Sequence, residues 1–172
     1  MKYFTREWVN GGLPDAKALA IEESYLQHVQ RLLPQLPSTI AELAASTSLH
    51  DGLIRRVRVN KRGQSVQLEL LCGDQQHGYV DLDLLYHGVD FKTLELETLA
   101  RLTRDRRVEI LRDEIDQRKA GGYEHRMLFW PEGELTILFE ELRLSKRPRR
   151  ERSIPYVGDP YEEIGVQEGG AG

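Results

Sequence analysis

The chain has 172 residues, of which 40% are hydrophobic and 30% charged, and its 24 basic and 28 acidic side chains leave a net charge of −4. This composition can bury the core of about one domain, and it excludes a strongly cationic nucleic-acid-binding protein and a polyacidic disordered chain. Apolar runs are too short for a membrane helix. The single cysteine, Cys72, cannot form an internal disulfide, which favours a reducing, cytoplasmic location.

The first third of the chain is predicted to be helical. Apolar residues recur at steps of three and four over residues 14–33, which is the period of one helix face. Pro37 follows this segment, and Thr39 with Glu42 has the spacing of a capping box at the start of a second, short helix. We expect the long helix to cover one face of the sheet that follows.

From residue 53 the hydrophobic period changes from 3.6 to 2, which is typical of strands with one apolar side. The alternating segments are residues 53–59, 66–72 and 80–86. Joined by short turns, they predict an antiparallel meander in which Leu70 lies opposite Leu82, with a bulge in the second connection. The same register places Glu69 opposite Asp83.

The second half of the chain predicts a further helix and three more strands. Residues 96–103 allow a short helix. Residues 107–115 fit either period, and we favour a strand because two acidic side chains four residues apart would repel each other on a helix. A hairpin over residues 123–139 is predicted to pair Met127 with Ile137 across its turn.

The apolar pattern stops after residue 144. Residues 146–152 carry five basic groups and one acidic group, whereas residues 153–172 carry four acidic groups, no basic group and five glycines. The sequence therefore predicts a flexible tail over residues 146–172 and a single domain over residues 1–145. The expected fold is α+β, with N-terminal helices packed on an antiparallel sheet of about six strands.

Three segments of the sequence resemble those of a bacterial family of unknown function. They are the opening MKYFTREW, the Ser-Leu-His-Asp segment at residues 48–51, and the hairpin at residues 123–139. Members of that family begin with an MKYFT(K/R)E stretch, and the same segments are more distantly similar to small immunity-type proteins. The resemblance covers residues 1–145 and implies a bacterial origin and the α+β fold, but it implies no particular activity.

The usual catalytic signatures are absent from the sequence: it has no phosphate-binding glycine loop, no HExxH, no GxSxG and no CxxC. His50 and Asp51 resemble part of a metal-dependent phosphohydrolase site, but Asp51 followed by glycine is more typical of a turn. His125 falls on an apolar side, where a packed histidine is the usual case. As a general base it would need a carboxylate such as Glu114 or Glu141 beside it.

Five charged residues share the polar side of the meander: Arg56, Arg58, Glu69, Asp81 and Asp83. They predict either a solvated surface of ion pairs or a surface that binds another protein, in which case Asp81 and Asp83 would favour a basic partner. The alternative is a site for a hard cation formed by the three carboxylates. The basic runs of the chain lack stacking aromatic residues, so nucleic acid is disfavoured as a partner.

The sequence thus predicts a cytoplasmic bacterial protein that binds another protein without catalysis and without a cofactor. An inhibitor or immunity-type role is its most concrete form. The alternative is a metal-assisted hydrolase or a small-molecule-binding protein that uses Glu69, Asp81 and Asp83. The sequence leaves self-association open.

Overall fold

Helices and strands follow one another along the chain much as the changes in hydrophobic period predict. The computed structural model describes residues 1–76, 78–152 and 158–165. The helices are α1 (Arg6–Val9), α2 (Asp15–Leu32), α3 (Ser38–Ser46) and α4 (Leu96–Arg104), with a 3-10 turn at Leu33–Gln35. The strands are β1 (Gly52–Asn60), β2 (Ser65–Asp74), β3 (Gly78–His87), β4 (Glu109–Gln117), β5 (Tyr123–Trp130), β6 (Glu134–Phe139), β7 (Glu141–Arg149) and β8 (Tyr161–Glu163). The α+β class is confirmed, but eight strands exceed the predicted six.

The sheet consists of two groups of strands that overlap at one corner. Its order is β6-β5-β4-β1-β2-β3-β7, with neighbouring strands antiparallel, and β8 adds in parallel to β1. Strands β1 and β4 share only two residue pairs, Gly52 with Ile110 and Leu53 with Glu109. Beyond these pairs each strand runs past the start of the other. Each therefore has a stretch of edge that the other does not cover.

The register of the meander is confirmed, because Leu70 pairs with Leu82 and Glu69 with Asp83. The bulge predicted in the second connection is wrong, since β2 and β3 pair without interruption. The irregularity lies in β1 instead, where Arg55 is the extra residue. A bulge re-aims the side chain at that point.

The predicted strand at residues 107–115 is confirmed as β4, and it has a bulge at Leu111 where its pairing with β5 shifts by one residue. The register predicted for the last hairpin is wrong by two residues. Met127 pairs with Leu135, not with Ile137, because the turn is centred one residue earlier than predicted, on Pro131, and the Phe129 N–H donates to the Gly133 carbonyl at 2.9 Å.

Helix α2 does not cover the sheet as predicted. It lies along β4 with only Val29 fully buried, and its Tyr25 hydroxyl accepts the N–H of Ile115 at 3.0 Å. Because the Tyr25 hydroxyl needs a polar partner, its hydrogen bond holds α2 against the edge of β4. The core is covered instead by α3 and α4, which bury Ile40, Leu43, Leu99 and Leu102. No helix in the described ranges combines the length and apolarity needed to cross a membrane.

Helix α3 also begins differently from the prediction. It starts at Ser38, and no side chain caps its first turn, so Thr39 and Glu42 do not form a capping box. Glu42 extends to β7 instead, where Lys146 Nζ lies 2.7 Å from its Oε1.

The sheet continues into the segment predicted to be a flexible tail. Strand β7 runs to Arg149 because β3 offers it partners as far as Tyr79. Strand β8 lies on the uncovered edge of β1, where the Val57 N–H donates to the carbonyl of the buried Pro160 at 2.8 Å. The tail prediction is therefore wrong for these residues, and its remainder, residues 153–157 and 166–172, lies outside the described residues. The boundary of the single domain stays a prediction.

Removing residues 153–172 is expected to lower the melting temperature by about 4–8 °C. The deletion exposes the edge of β1 and breaks at least two backbone hydrogen bonds, those of the Val57 and Ile164 N–H groups, each contributing about 1 kcal/mol, in a protein of this size. Thermal unfolding followed by circular dichroism measures the change. Removing only residues 166–172 is the control and should leave the midpoint within a degree. Equal midpoints for both truncations would contradict a stabilising role for β8.

Candidate functional site

The polar side of β1, β2, β3 and β7, which we call the charged face, is held together by ion pairs. Asp81 on β3 accepts from two guanidinium groups. The Arg55 Nη1 lies 2.6 Å from its Oδ1, and the Arg149 Nη1 lies 3.0 Å from the same atom. The bulge in β1 thus brings Arg55 to this side of the sheet, and Asp81 links β1 to β7 across two intervening strands.

The other two predicted carboxylates are also paired. Arg58 Nη1 lies 2.6 Å from Glu69 Oε1, and its Nε lies 3.3 Å from Glu162 of β8. The side-chain amide of Gln67 donates to both oxygens of Asp83, at 2.8 and 3.0 Å. Glu69, Asp81 and Asp83 are therefore engaged with one or more donors each.

The structure does not gather these carboxylates into a metal centre. Within residues 1–76, 78–152 and 158–165, no group of three His, Cys, Asp or Glu side chains has the arrangement that a metal ion requires. Glu69, Asp81 and Asp83 each face a different donor on a neighbouring strand, so their oxygens do not converge on one point.

Three arginines of the charged face have no such partner. Arg56 lies opposite Glu69 in the register, and Arg143 and Arg147 project from β7 on the same side. None of the three makes an ion pair or side-chain hydrogen bond among the described residues. Glu141 begins β7 on this side, at the opposite end from Arg147. The unpaired charge along the rest of β7 is therefore positive.

His50 and Asp51 lie in a turn just before β1, as the turn interpretation predicts. Asp51 has a positive φ of 58°, and its N–H donates to the Ile110 carbonyl at 2.8 Å. The His50 Nδ1 donates to the Leu111 carbonyl at 2.8 Å, at the bulge of β4. These bonds attach the turn to the uncovered edge of β4.

His125 is fully buried, as expected for a packed histidine, but its carboxylate neighbour is neither Glu114 nor Glu141. Its Nε2 lies 3.2 Å from Asp113 Oδ2, and its Nδ1 lies 2.7 Å from the hydroxyl of Tyr86. The bulge at Leu111 changes which residues of β4 face the core, and it turns Asp113 toward β5.

The hydrogen bonding of Tyr86, His125 and Asp113 depends on their burial. Burial, together with the charge of Asp113, raises the pKa of Tyr86 well above its ordinary value, so the phenol keeps its proton. A neutral phenol can donate to His125 Nδ1, and with that tautomer the imidazole donates its Nε2 proton to Asp113. The other oxygen of Asp113 has no donor within the described residues.

Glu114, the next residue of β4, holds the beginning of the chain in place. Its carboxylate is fully buried and accepts the backbone N–H groups of Lys2, Tyr3 and Phe4 at 2.9, 2.7 and 2.8 Å. Arg126 Nη1 lies 3.0 Å away and balances the charge. The opening of the sequence is therefore packed against β4, with Phe4 buried.

Asp113 and His50 both line one cavity of about 460 Å³, which lies between α2, the connection from α3 to β1, and the uncovered edge of β4. Of the three positions that the sequence singled out, His50, Asp51 and His125, the lining of this cavity includes His50. His50 reaches it directly, and His125 reaches it through Asp113.

Comparisons with known proteins give no match, whether to family models, to curated proteins or to solved structures. The resemblance of residues 1–145 to the bacterial family with the MKYFT(K/R)E start stays a prediction.

Tyr86→Phe is expected to lower the free energy of unfolding by about 1–3 kcal/mol, because it leaves the buried Nδ1 of His125 without a donor. Chemical denaturation measures the loss. Tyr123→Phe is the matched control, since the Tyr123 hydroxyl makes no hydrogen bond within the described part of the chain. If both substitutions cost the same, the hydrogen bond from Tyr86 to His125 contributes nothing specific.

Proposed function

We propose that this chain is a cytoplasmic bacterial protein-binding module that acts through its charged face, without catalysis, in the manner of an inhibitor or immunity protein. The observation that carries the proposal is the pair of unpartnered arginines on β7, Arg143 and Arg147. The carboxylates on the adjacent strands are already paired.

This distribution of charge favours an acidic partner over the basic one that the sequence alone suggested. Asp81 and Glu69 are engaged with guanidinium groups of their own chain, so a basic partner would have to displace them. The exposed arginines need no such exchange. Charges at the rim of an interface chiefly set the rate of encounter and the choice of partner.

The backbone of β7 supplies a second feature that suits a protein partner. Strand β7 pairs with β3 on one side and, within the described residues, with no strand on the other. An extended segment can add to such an edge through main-chain hydrogen bonds. Pro148 has no N–H to donate, so the edge available for pairing ends before it. Arg143 and Arg147 would lie beside the added segment, where acidic side chains of that segment would complement their charge.

The double variant Arg143→Glu/Arg147→Glu should fold normally and weaken partner binding at least tenfold. Exposed charges contribute only about 0–1 kcal/mol each to stability, so the melting temperature should change by no more than a few degrees. The measurement is quantitative affinity capture from the native cells, followed by titration of the purified partner at two salt concentrations. Higher salt should weaken wild-type binding more than that of the variant.

Arg62→Glu is the control for this experiment. Arg62 is exposed in the turn between β1 and β2 and makes no ion pair among the described residues, so its reversal changes the net charge without touching β7. It should capture the same proteins as the wild type. Should the folded double variant also capture and bind them equally well, the arginines serve only to protect a sheet edge, and the proposal fails.

A further inference from the structure

One wall of the cavity is the edge of β4 over residues 111–115, which pairs with no strand among the described residues. The Leu111 carbonyl is bound by His50 at one end of this edge, and the Ile115 N–H by the Tyr25 hydroxyl at the other. The backbone groups on one edge of a strand belong to every second residue. The N–H and carbonyl of Asp113 therefore lie on the same edge as those of Leu111 and Ile115, between His50 and Tyr25. This short gap is bounded by the two side chains, and its size suits a small molecule.

The volume and lining of the cavity are also those of a small-molecule site. Its volume of about 460 Å³ lies within the usual range for ligand pockets, which combine apolar walls with a few polar groups. The apolar part of the lining that a ligand can reach includes Leu26, which is exposed, and Ala44, which is half-buried. The charged groups on the lining are Glu22, Arg112 and Asp113.

Arg112 provides a positive charge that the protein itself does not neutralise. Its guanidinium lies over the rings of Phe4 and Trp8, at 5.5 and 5.2 Å from their centres, and this stacking fixes its position. It makes no ion pair with a carboxylate in the described part of the chain. A guanidinium held in this way is suited to bind a carboxylate through two hydrogen bonds.

Tyr25 adds a donor to this positive side. Its oxygen accepts the Ile115 N–H, and its own proton has no acceptor within the described residues. Burial, reinforced by the charge of Asp113, raises the pKa of Tyr25 well above its ordinary value, so the hydroxyl keeps that proton. It can therefore donate to an anion in the cavity.

Asp113 provides the opposite charge. Its side chain is 19% exposed, and only Oδ2 is bound, by His125. Oδ1 has no donor within the described residues, and Glu22 on α2 is a second unpaired carboxylate of the lining. Two such carboxylates favour an ammonium group.

We propose that this cavity binds a free α-amino acid. Its carboxylate lies on Arg112, its ammonium group lies on Asp113, and its side chain packs against Leu26 and Ala44. The site is separate from the charged face, so it is independent of the protein-binding function proposed above.

Isothermal titration of the full chain with the twenty amino acids tests this assignment. At least one of them should bind saturably. For the amino acid that binds best, the amine without the carboxylate and the N-acetylated form without the ammonium charge should each bind at least tenfold more weakly.

Substitutions in the cavity separate the two halves of the site. Arg112→Gln should weaken amino-acid binding at least tenfold and leave the binding of the matching amine unchanged. Arg112→Lys keeps the charge but loses the two-point contact, so it should give an intermediate loss, and it replaces Arg112→Gln if that variant does not fold. Glu22→Gln should weaken the amino acid and the amine alike. Arg62→Gln is the control and should bind as the wild type does.

Three results would overturn the proposal. The first is that none of the twenty amino acids binds to the folded wild-type chain. The second is equal affinity of the wild type and the folded Arg112 variants. The third is that the N-acetylated amino acid binds as tightly as the free amino acid. Arg143→Glu/Arg147→Glu should bind the amino acid normally, so this outcome does not depend on the outcome for the charged face.

Discussion

A carboxylate removed from water costs several kcal/mol unless donors and an opposite charge replace the lost hydration. Glu114 meets this requirement with three backbone N–H groups from the first residues of the chain and with the guanidinium of Arg126. This arrangement attaches the N-terminal segment to β4. The attachment places Phe4 under Arg112 and positions α1, whose Trp8 in turn donates to the Ala18 carbonyl of α2. The site beside β4 therefore depends on a residue that does not line it.

The short overlap of β1 and β4 gives the sheet its second organising constraint. Each strand leaves part of its edge uncovered, and buried backbone groups at such an edge need partners. The edge of β1 is paired with β8, whereas the edge of β4 is bound at intervals by the side chains of His50 and Tyr25. Pairing with β8 covers the edge of β1 with another strand. The two side chains on β4 leave a space between them, and this space is the cavity.

The parts of the fold that follow from a regular period could be predicted from the sequence. Alternation defines β1, β2 and β3, and the apolar side fixes their register, because a slip of one residue would expose it. Where an extra residue interrupts the period, prediction fails. The bulge at Leu111 turns Asp113, not Glu114, toward His125, and no composition signal marks it. The hairpin turn is likewise centred one residue earlier than the sequence suggests, and this shifts the register of β5 and β6 by two residues.

The candidate site was only partly predictable for the same reason. His50 and His125 could be singled out by residue type, but Arg112 and Asp113 gain their importance from the bulge beside them and from the strand edge they share. Strand β8 gave no signal either, because three residues carry no period and two of them are acidic. Charge complementarity with Lys61 and Arg58 is a cue that becomes visible only once the strands are aligned.

The pairing of β8 with β1 also bears on the order in which this protein can fold during synthesis. Arg58 and Glu162 are separated by 104 residues, so the edge of β1 stays unpaired until nearly the whole described chain has left the ribosome. Contacts this distant form late, because the loop between them must close first. Until then a nascent chain presents an open, apolar strand edge of the kind that pairs with other chains. The acidic residues of β8 thus take part in a late step of folding, which covers this edge and protects the nascent polypeptide from aggregation.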